Sequence, residues 1–202
     1  MNATRQRPRP LRQRILGATL RLLSRMGIRM NPFLVVEEAQ RTIDESFETQ
    51  SLTFAVASPD DIDQLLRLQA AHTEASLGQW FADGRLCFVA KDGDRIVALM
   101  WADLSSFNYL PNYRSLGPHE AYLFAAISDP EYRGHNVAPA LRLFCYGTLR
   151  HRGISKFYSY SDYLNASARR FKSKLHAREL ELRLHVDLWH LWSHTFTLAR
   201  YD

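Results

Sequence analysis

Apolar residues recur along this chain at helical spacing in some stretches and in short continuous or alternating runs in others. Leu11, Ile15, Leu16, Leu20, Leu22, Leu23 and Met26 are interleaved with Arg12, Arg14, Arg21 and Arg25, which predicts a basic amphipathic helix. Asn31-Pro32 is expected to end it, and 33–49 reads as a connector with a helical stretch from Val36 to Phe47. Leu52 to Ala57 follows as a short strand. Ser58-Pro59-Asp60-Asp61 then opens a helix: a capping serine, proline in the first turn, and acids near the positive end. A second helix is predicted from Thr73 to Phe81, ending near Asp83-Gly84. Asp92-Gly93-Asp94 joins the runs 86–91 and 95–104 into a hairpin, and 107–118, with two prolines, reads as a loop.

The most informative stretch is 120–141. Residues 121–127 are apolar, too short for a membrane span and aromatic-rich, as suits a buried strand. Asp129-Pro130 breaks the run, and Arg133-Gly134-His135-Asn136 leads into Val137, Leu141, Phe144 and Thr148, one face of a helix. The first N–H groups of such a helix have no partner within it, and with the positive end of the dipole they form an anion site that suits a pyrophosphate. Further on, Gly153 stops the helix, 154–160 is a strand, and Asn165 caps a helix with Ala168, Phe171 and Leu175 on its apolar face. Residues 179–188 alternate as a strand, and a turn over 189–193 leads into a terminal hairpin strand, 195–201.

Arg133-Gly134-His135-Asn136-Val137-Ala138 resembles the Arg/Gln-x-x-Gly-x-Gly/Ala loop of the GNAT superfamily of acetyl-coenzyme A dependent N-acetyltransferases, with Asn136 where that family usually has glycine. The string from Asn165 is similar to a second pattern of the superfamily, Asn-x-x-Ala-x-x-Tyr-x-x-x-Gly-Phe. Here Phe171 stands in place of the tyrosine that protonates the leaving thiolate, and Leu175-His176 in place of Gly-Phe. The resemblance covers roughly 52–201. It implies an α/β (α+β) fold: a mixed, mostly antiparallel sheet of about six to seven strands flanked by helices, over 51–202, with residues 1–50 as a basic arm and helical extension. It further implies acetyl-coenzyme A, or another acyl-coenzyme A, as cofactor. The contacts it implies are Ala126, Ile127, Ser128, Arg133, Gly134, His135, Asn136, Val137, Ala138, Asn165 and Phe171. In such a layout 107–118 lies near the acceptor entrance.

Acetyl transfer to an amine needs an unprotonated acceptor, a hydrogen bond to the thioester carbonyl and a proton route to sulfur. Glu120 opens the central strand, where family members often place the base; an exposed strand-end acid is the plainer account. His119 is a substitute base by its near-neutral intrinsic pKa. Tyr160 and Tyr163 are candidates to replace the missing tyrosine, against a role as core aromatics, and Asp162 is a candidate acceptor ligand or a turn cap. His190 and His194 flank a predicted turn without a third ligand nearby in sequence, so no metal site is assigned. Ser128 lies in no nucleophile-elbow pattern, and Cys87 and Cys145 sit in apolar patterns, as reduced core residues do.

Charge changes the picture at one end only. Of the 202 residues, 1–30 hold eight Arg and no acid, and the remainder is mildly acidic, which argues against nucleic-acid binding by the domain. Residues 1–10, rich in Arg and Pro, are not expected to order themselves. Three readings of the arm over 5–29 stay open: packing on its own domain or a second copy in a homodimer, peripheral contact with an anionic membrane, or targeting as a presequence. No run is apolar enough to span a bilayer, and the expected location is cytoplasmic or peripheral to a membrane. The expected function is N-acylation of a small amine, such as an amino sugar or surface-polysaccharide precursor. The alternative is a catalytically impaired binding or scaffold subunit.

Overall fold

The computed structural model describes residues 11–38, 51–109 and 112–201, with the side chains of 11–14 and 112 excepted. The helices are α1 (Leu11–Arg25), α2 (Ile62–Leu68), α3 (Glu74–Ala82), α4 (Val137–His151) and α5 (Ala166–Lys174). The strands are β1 (Ile28–Glu38), β2 (Thr53–Val56), β3 (Leu86–Asp92), β4 (Arg95–Asp103), β5 (Ser106–Tyr109), β6 (Asn112–Ser115), β7 (Glu120–Ser128), β8 (Lys156–Asp162), β9 (Arg178–Leu188) and β10 (Trp192–Arg200). The chain forms two compact units. The central one comprises 39–107 and 114–158; the other comprises 1–38, 108–113 and 159–202.

In the central unit the strands run in the order β8-β7-β4-β3-β2, antiparallel except where Glu120 to Tyr122 pair in parallel with Lys156 to Tyr158 of β8. From Ile96 to Asp103, β4 is buried without a break, because helices cover both of its faces. On one face α4 sets Val137, Leu141, Cys145, Tyr146 and Leu149 against Phe88, Met100, Leu123 and Phe157. On the other, Leu65 of α2 and Leu77 of α3 pack with Val89, Leu99 and Trp101, and Trp80 meets Trp101 and Phe124 edge-on. Thr73 caps α3 by accepting from Ser76 N while Ser76 Oγ accepts from Thr73 N. Burial pushes the Cys87 thiol well above its ordinary range, so it stays a neutral core group.

In the other unit the order is β10-β9-β1-β8. Counted with the central strands, and β8 once, the order holds eight strands rather than six to seven, and β1 is a strand the pattern does not predict. Asn31-Pro32 does not break the chain into a connector: β1 runs through it, pairing Ile28 with Leu188 at one end and Glu37 with Arg178 at the other. Proline is accommodated there, and its carbonyl accepts from Tyr163 N. The reason is the β-forming run Phe33-Leu34-Val35-Val36, whose Phe33, Leu34 and Val36 are almost wholly buried. The helix expected from Val36 is therefore replaced by strand as far as Glu38, and its remainder, like 1–10, lies outside the described residues. The expected loop over 107–118 instead holds β5 and β6, paired as a two-stranded sheet. The buried Asp103 carboxylate initiates it by accepting from Ser105 N and Ser106 N at 2.8 and 2.9 Å.

Candidate active site

The expected strand, loop and helix of 120–141 form β7, a turn and α4. Strand β7 is irregular in its middle. Leu99 and Trp101 of β4, two positions apart, face Ile127 and Phe124, three apart, so β7 carries one extra residue at Ala125-Ala126, and Ala125 takes φ 48°. Asp129 N donates to Val97 O. The alternation along the strand therefore turns the backbone groups of Ser128 and Ala126 away from β4. Ser128 O accepts from Arg133 Nε at 3.3 Å. This edge lies beyond the three-residue ladder with β8 and suits an extended ligand bearing amide groups.

The turn reaches α4 through two left-handed residues, Gly134 at φ 90° and Asn136 at φ 58°, ψ 14°. Asparagine enters that region more readily than most side chains, so Asn136 takes a backbone that glycine would adopt freely. The first bond of α4 runs from Ala140 N to Asn136 O. The N–H groups of Val137 and Ala138 thus precede the intrahelical ladder, while Pro139 in the first turn supplies none. Arg133 and His135 are exposed beside them. Two helix-end N–H groups, a left-handed turn and a cation suit a pyrophosphate, so the residues present fit coenzyme A.

At the other end of β7, Glu120 Oε2 accepts from Arg114 Nη1 at 2.8 Å and Gly117 N at 3.0 Å, and Oε1 from the Tyr158 hydroxyl at 3.3 Å. Partial burial pushes its pKa up, but the Gly117 amide, Arg114 and Tyr158 outweigh this and hold the carboxyl below its ordinary range. The Arg114 guanidinium also lies 5.0 Å from the Tyr158 ring centre. His119 is exposed, with Nδ1 2.8 Å from Gly153 O. A carbonyl only accepts, so in the neutral ring Nδ1 carries the hydrogen and Nε2 is a proton acceptor. Ala125 lies five positions beyond Glu120, roughly 16 Å at the usual strand rise. That interval is lined by Tyr122 and Phe124, stacked with centroids 5.3 Å apart.

Tyr160, Asp162, Tyr163, Asn165 and Phe171 belong to the other unit. Tyr160 stacks on Tyr109, whose hydroxyl accepts from Asn31 Nδ2 at 2.9 Å. Burial first, and then Tyr160, push the pKa of Tyr109 up to about 12. The Arg169 guanidinium lies 5.1 Å from the Tyr163 ring centre. Asp162 Oδ1 accepts from Leu164 N, the turn-capping role, and Asn165 Oδ1 caps α5 by accepting from Ala168 N. Phe171 is half-buried on α5. Among the described residues no group of His, Cys, Asp and Glu could hold a metal ion.

Sequence reasoning missed Arg114 and Tyr158, which reach Glu120 from β6 and β8. It also missed the bulge, whose sole sequence trace is the pair of small residues Ala125-Ala126 in a bulky run.

A bulged strand feeds a left-handed turn at a helix N-terminus, within a mixed, mostly antiparallel sheet flanked by helices, an arrangement that suits a ligand with a pyrophosphate and an amide-bearing arm. The sequence model of the acetyltransferase (GNAT) family matches residues 47–176, and the chain belongs to that family, whose acyl donor is acetyl-coenzyme A. No curated protein matches the chain. Among solved structures, it is similar to a putative GNAT acetyltransferase from Novosphingobium aromaticivorans at 21% identity and a TM-score of 0.58, covering 80% of this chain and 66% of that one. A GCN5-related N-acetyltransferase from Sphaerobacter thermophilus is similar at 16% identity and a TM-score of 0.57, over 86% of this chain and 56% of that one. An aminoglycoside acetyltransferase from an uncultured soil metagenomic sample is similar at 16% identity and a TM-score of 0.51, over 62% of this chain and 87% of that one. The chain thus spans about two thirds or less of the length of the first two.

Proposed function

We propose that the chain transfers an acetyl group from acetyl-coenzyme A to the amine of a small acceptor of the amino-sugar class, with residues 51–202 as the acyltransferase domain. The observation that carries the reading is the conjunction, on one strand-turn-helix, of the bulge at Ala125 with the left-handed turn at Gly134 and Asn136. Backbone groups at Gly134, His135, Val137 and Ala138, with Arg133, would hold the pyrophosphate, and the edge of Ala126 and Ser128, on either side of Ile127, the amide-bearing arm. The bound cofactor supplies the activated acyl group; the protein supplies orientation and proton handling. His119 Nε2 is the better proton acceptor, because both oxygens of Glu120 already accept hydrogen bonds and its pKa is lowered. Glu120 instead holds Arg114 and Tyr158 in place. Amino sugars are favoured because one structure of the same fold is an aminoglycoside acetyltransferase.

The test is turnover of acetyl-coenzyme A against amino sugars, amino acids and peptides. Acetylation of amino sugars is expected, and His119→Gln should lower kcat by roughly a hundredfold with cofactor affinity unchanged. Coenzyme A binding without turnover on any acceptor would overturn the enzymatic reading in favour of a binding subunit, a role that Phe171, lacking a hydroxyl, would suit.

A further inference from the structure

Helix α1 meets the rest of its unit through a narrow strip. Gly17 is buried, with Leu164 so near that a Cβ there would lie 3.6 Å from its Cδ1, and Leu20 and Leu23 are half-buried. Ile15, Leu16, Leu22 and Met26 face outward instead, at 58%, 37%, 60% and 60% exposure. Positions 15 and 22 share one face of α1, Met26 follows in the turn just beyond it, and exposed Arg25 and Arg29 lie near that end. Where α1 ends, Gly27 O accepts from Trp189 N at 2.8 Å, and the Trp189 indole lies against Gly27. The tip of the β9–β10 hairpin therefore abuts the helix terminus. That tip exposes Trp189, Leu191 and Trp192, with Leu191 at 89%. Its nearest acid, Asp187, is engaged by the backbone N–H and ring of His190.

Single exposed apolar residues are ordinary, but two adjoining sets of them on a helix and a hairpin tip mark a docking surface. Charge identifies the occupant. Residues 1–30 carry eight Arg and no acid. A second copy docking through the same face would set those cations against themselves, since a two-fold interface pairs a patch with itself. An anionic bilayer meets both features: aliphatic side chains enter the acyl boundary, indoles settle at the headgroup level, and Arg attracts lipid phosphates. We propose that the outward face of α1 and the β9–β10 tip together form a peripheral docking surface for an anionic lipid bilayer.

The experiment is flotation of the full chain with phosphatidylcholine vesicles containing, or lacking, about one third phosphatidylglycerol, with light scattering of the lipid-free protein. Expected are binding to the anionic vesicles alone, release at high salt, and a blue shift of tryptophan emission on binding. Leu191→Ser with Trp192→Ser should weaken binding at least roughly tenfold. Arg25→Gln with Arg29→Gln should do the same, and both pairs should leave the melting temperature and acetyl-coenzyme A affinity unchanged. Equal binding to both vesicles, no binding to either, or anionic binding that survives the Leu191/Trp192 pair would overturn the proposal. So would a lipid-free dimer that those substitutions dissociate.

Discussion

Asn136 offers the sharpest test of the cofactor loop, because its backbone and its side chain make opposite demands. Its φ of 58° and ψ of 14° lie in the left-handed region, where an ordinary L-residue costs roughly 1–2 kcal/mol and a β-branched one more. Its side chain makes no capping bond to α4. Glycine enters that region without steric cost and therefore keeps the turn. We expect Asn136→Gly to bind acetyl-coenzyme A as tightly as the parent, or more tightly. Asn136→Val must either retain the strained conformation or leave it, moving the Val137 and Ala138 N–H groups out of line. At about 1–2 kcal/mol, its affinity should fall roughly 5- to 30-fold. Titration calorimetry, with thermal melts to confirm folding, reads both outcomes. If Asn136→Val keeps the strained turn the loss appears in the melting temperature instead, so a folded variant that loses neither affinity nor melting temperature would refute this account of the turn.

Two further predictions concern stability. In the buried trio Glu38, Ser159 and Lys172, the amine donates to Ser159 Oγ at 2.7 Å and Tyr160 O at 2.5 Å, and Ser159 Oγ donates to Glu38. Lys172→Met should cost about 3–5 kcal/mol in urea unfolding, and adding Glu38→Leu should recover much of it; a loss under about 1 kcal/mol would refute the account. Burial tends to raise the pKa of Asp103, but Ser105, Ser106 and Arg85 outweigh this and hold it below its ordinary value. With the folded-state pKa depressed, its contribution is fully present above the ordinary carboxylate range and is lost as pH falls through the folded value. Asp103→Asn should accordingly be less stable than the parent at pH near 7, with the difference closing below about pH 4; a pH-independent difference would refute this.

The strand, turn and helix of 120–141 are legible in sequence because their demands are local: a turn residue, a helix start and an apolar run lie close together. The same is true of the helix expected from Thr73, whose start the Thr73 cap closes, and of the Asp92-Gly93-Asp94 hairpin, each settled by neighbours a few positions away. Strand β1 is not legible, since Asn31-Pro32 reads as a stop and the β9 ladder that overrides it comes from the far end of the chain. Helix α1 illustrates a subtler limit. Periodicity identified its apolar residues, but Leu20 and Leu23 turn inward while Leu22 and Met26 turn outward, a division set by what packs beneath. Glu120 stands out as a candidate by position alone, whereas the donors that hold it ionised come from β6, β8 and a glycine amide.

The pairing of β1 with β9 has a consequence for synthesis. Glu37 and its partner Arg178 are separated by 141 positions. At roughly 5–20 residues per second, the ribosome takes on the order of ten seconds to supply β9 after β1 has been made. Throughout that interval Phe33, Leu34 and Val36 have no β9 to cover them. A nascent chain interrupted before residue 178 presents an apolar strand without that ladder, the kind of segment that holding chaperones bind and that drives association between incomplete chains.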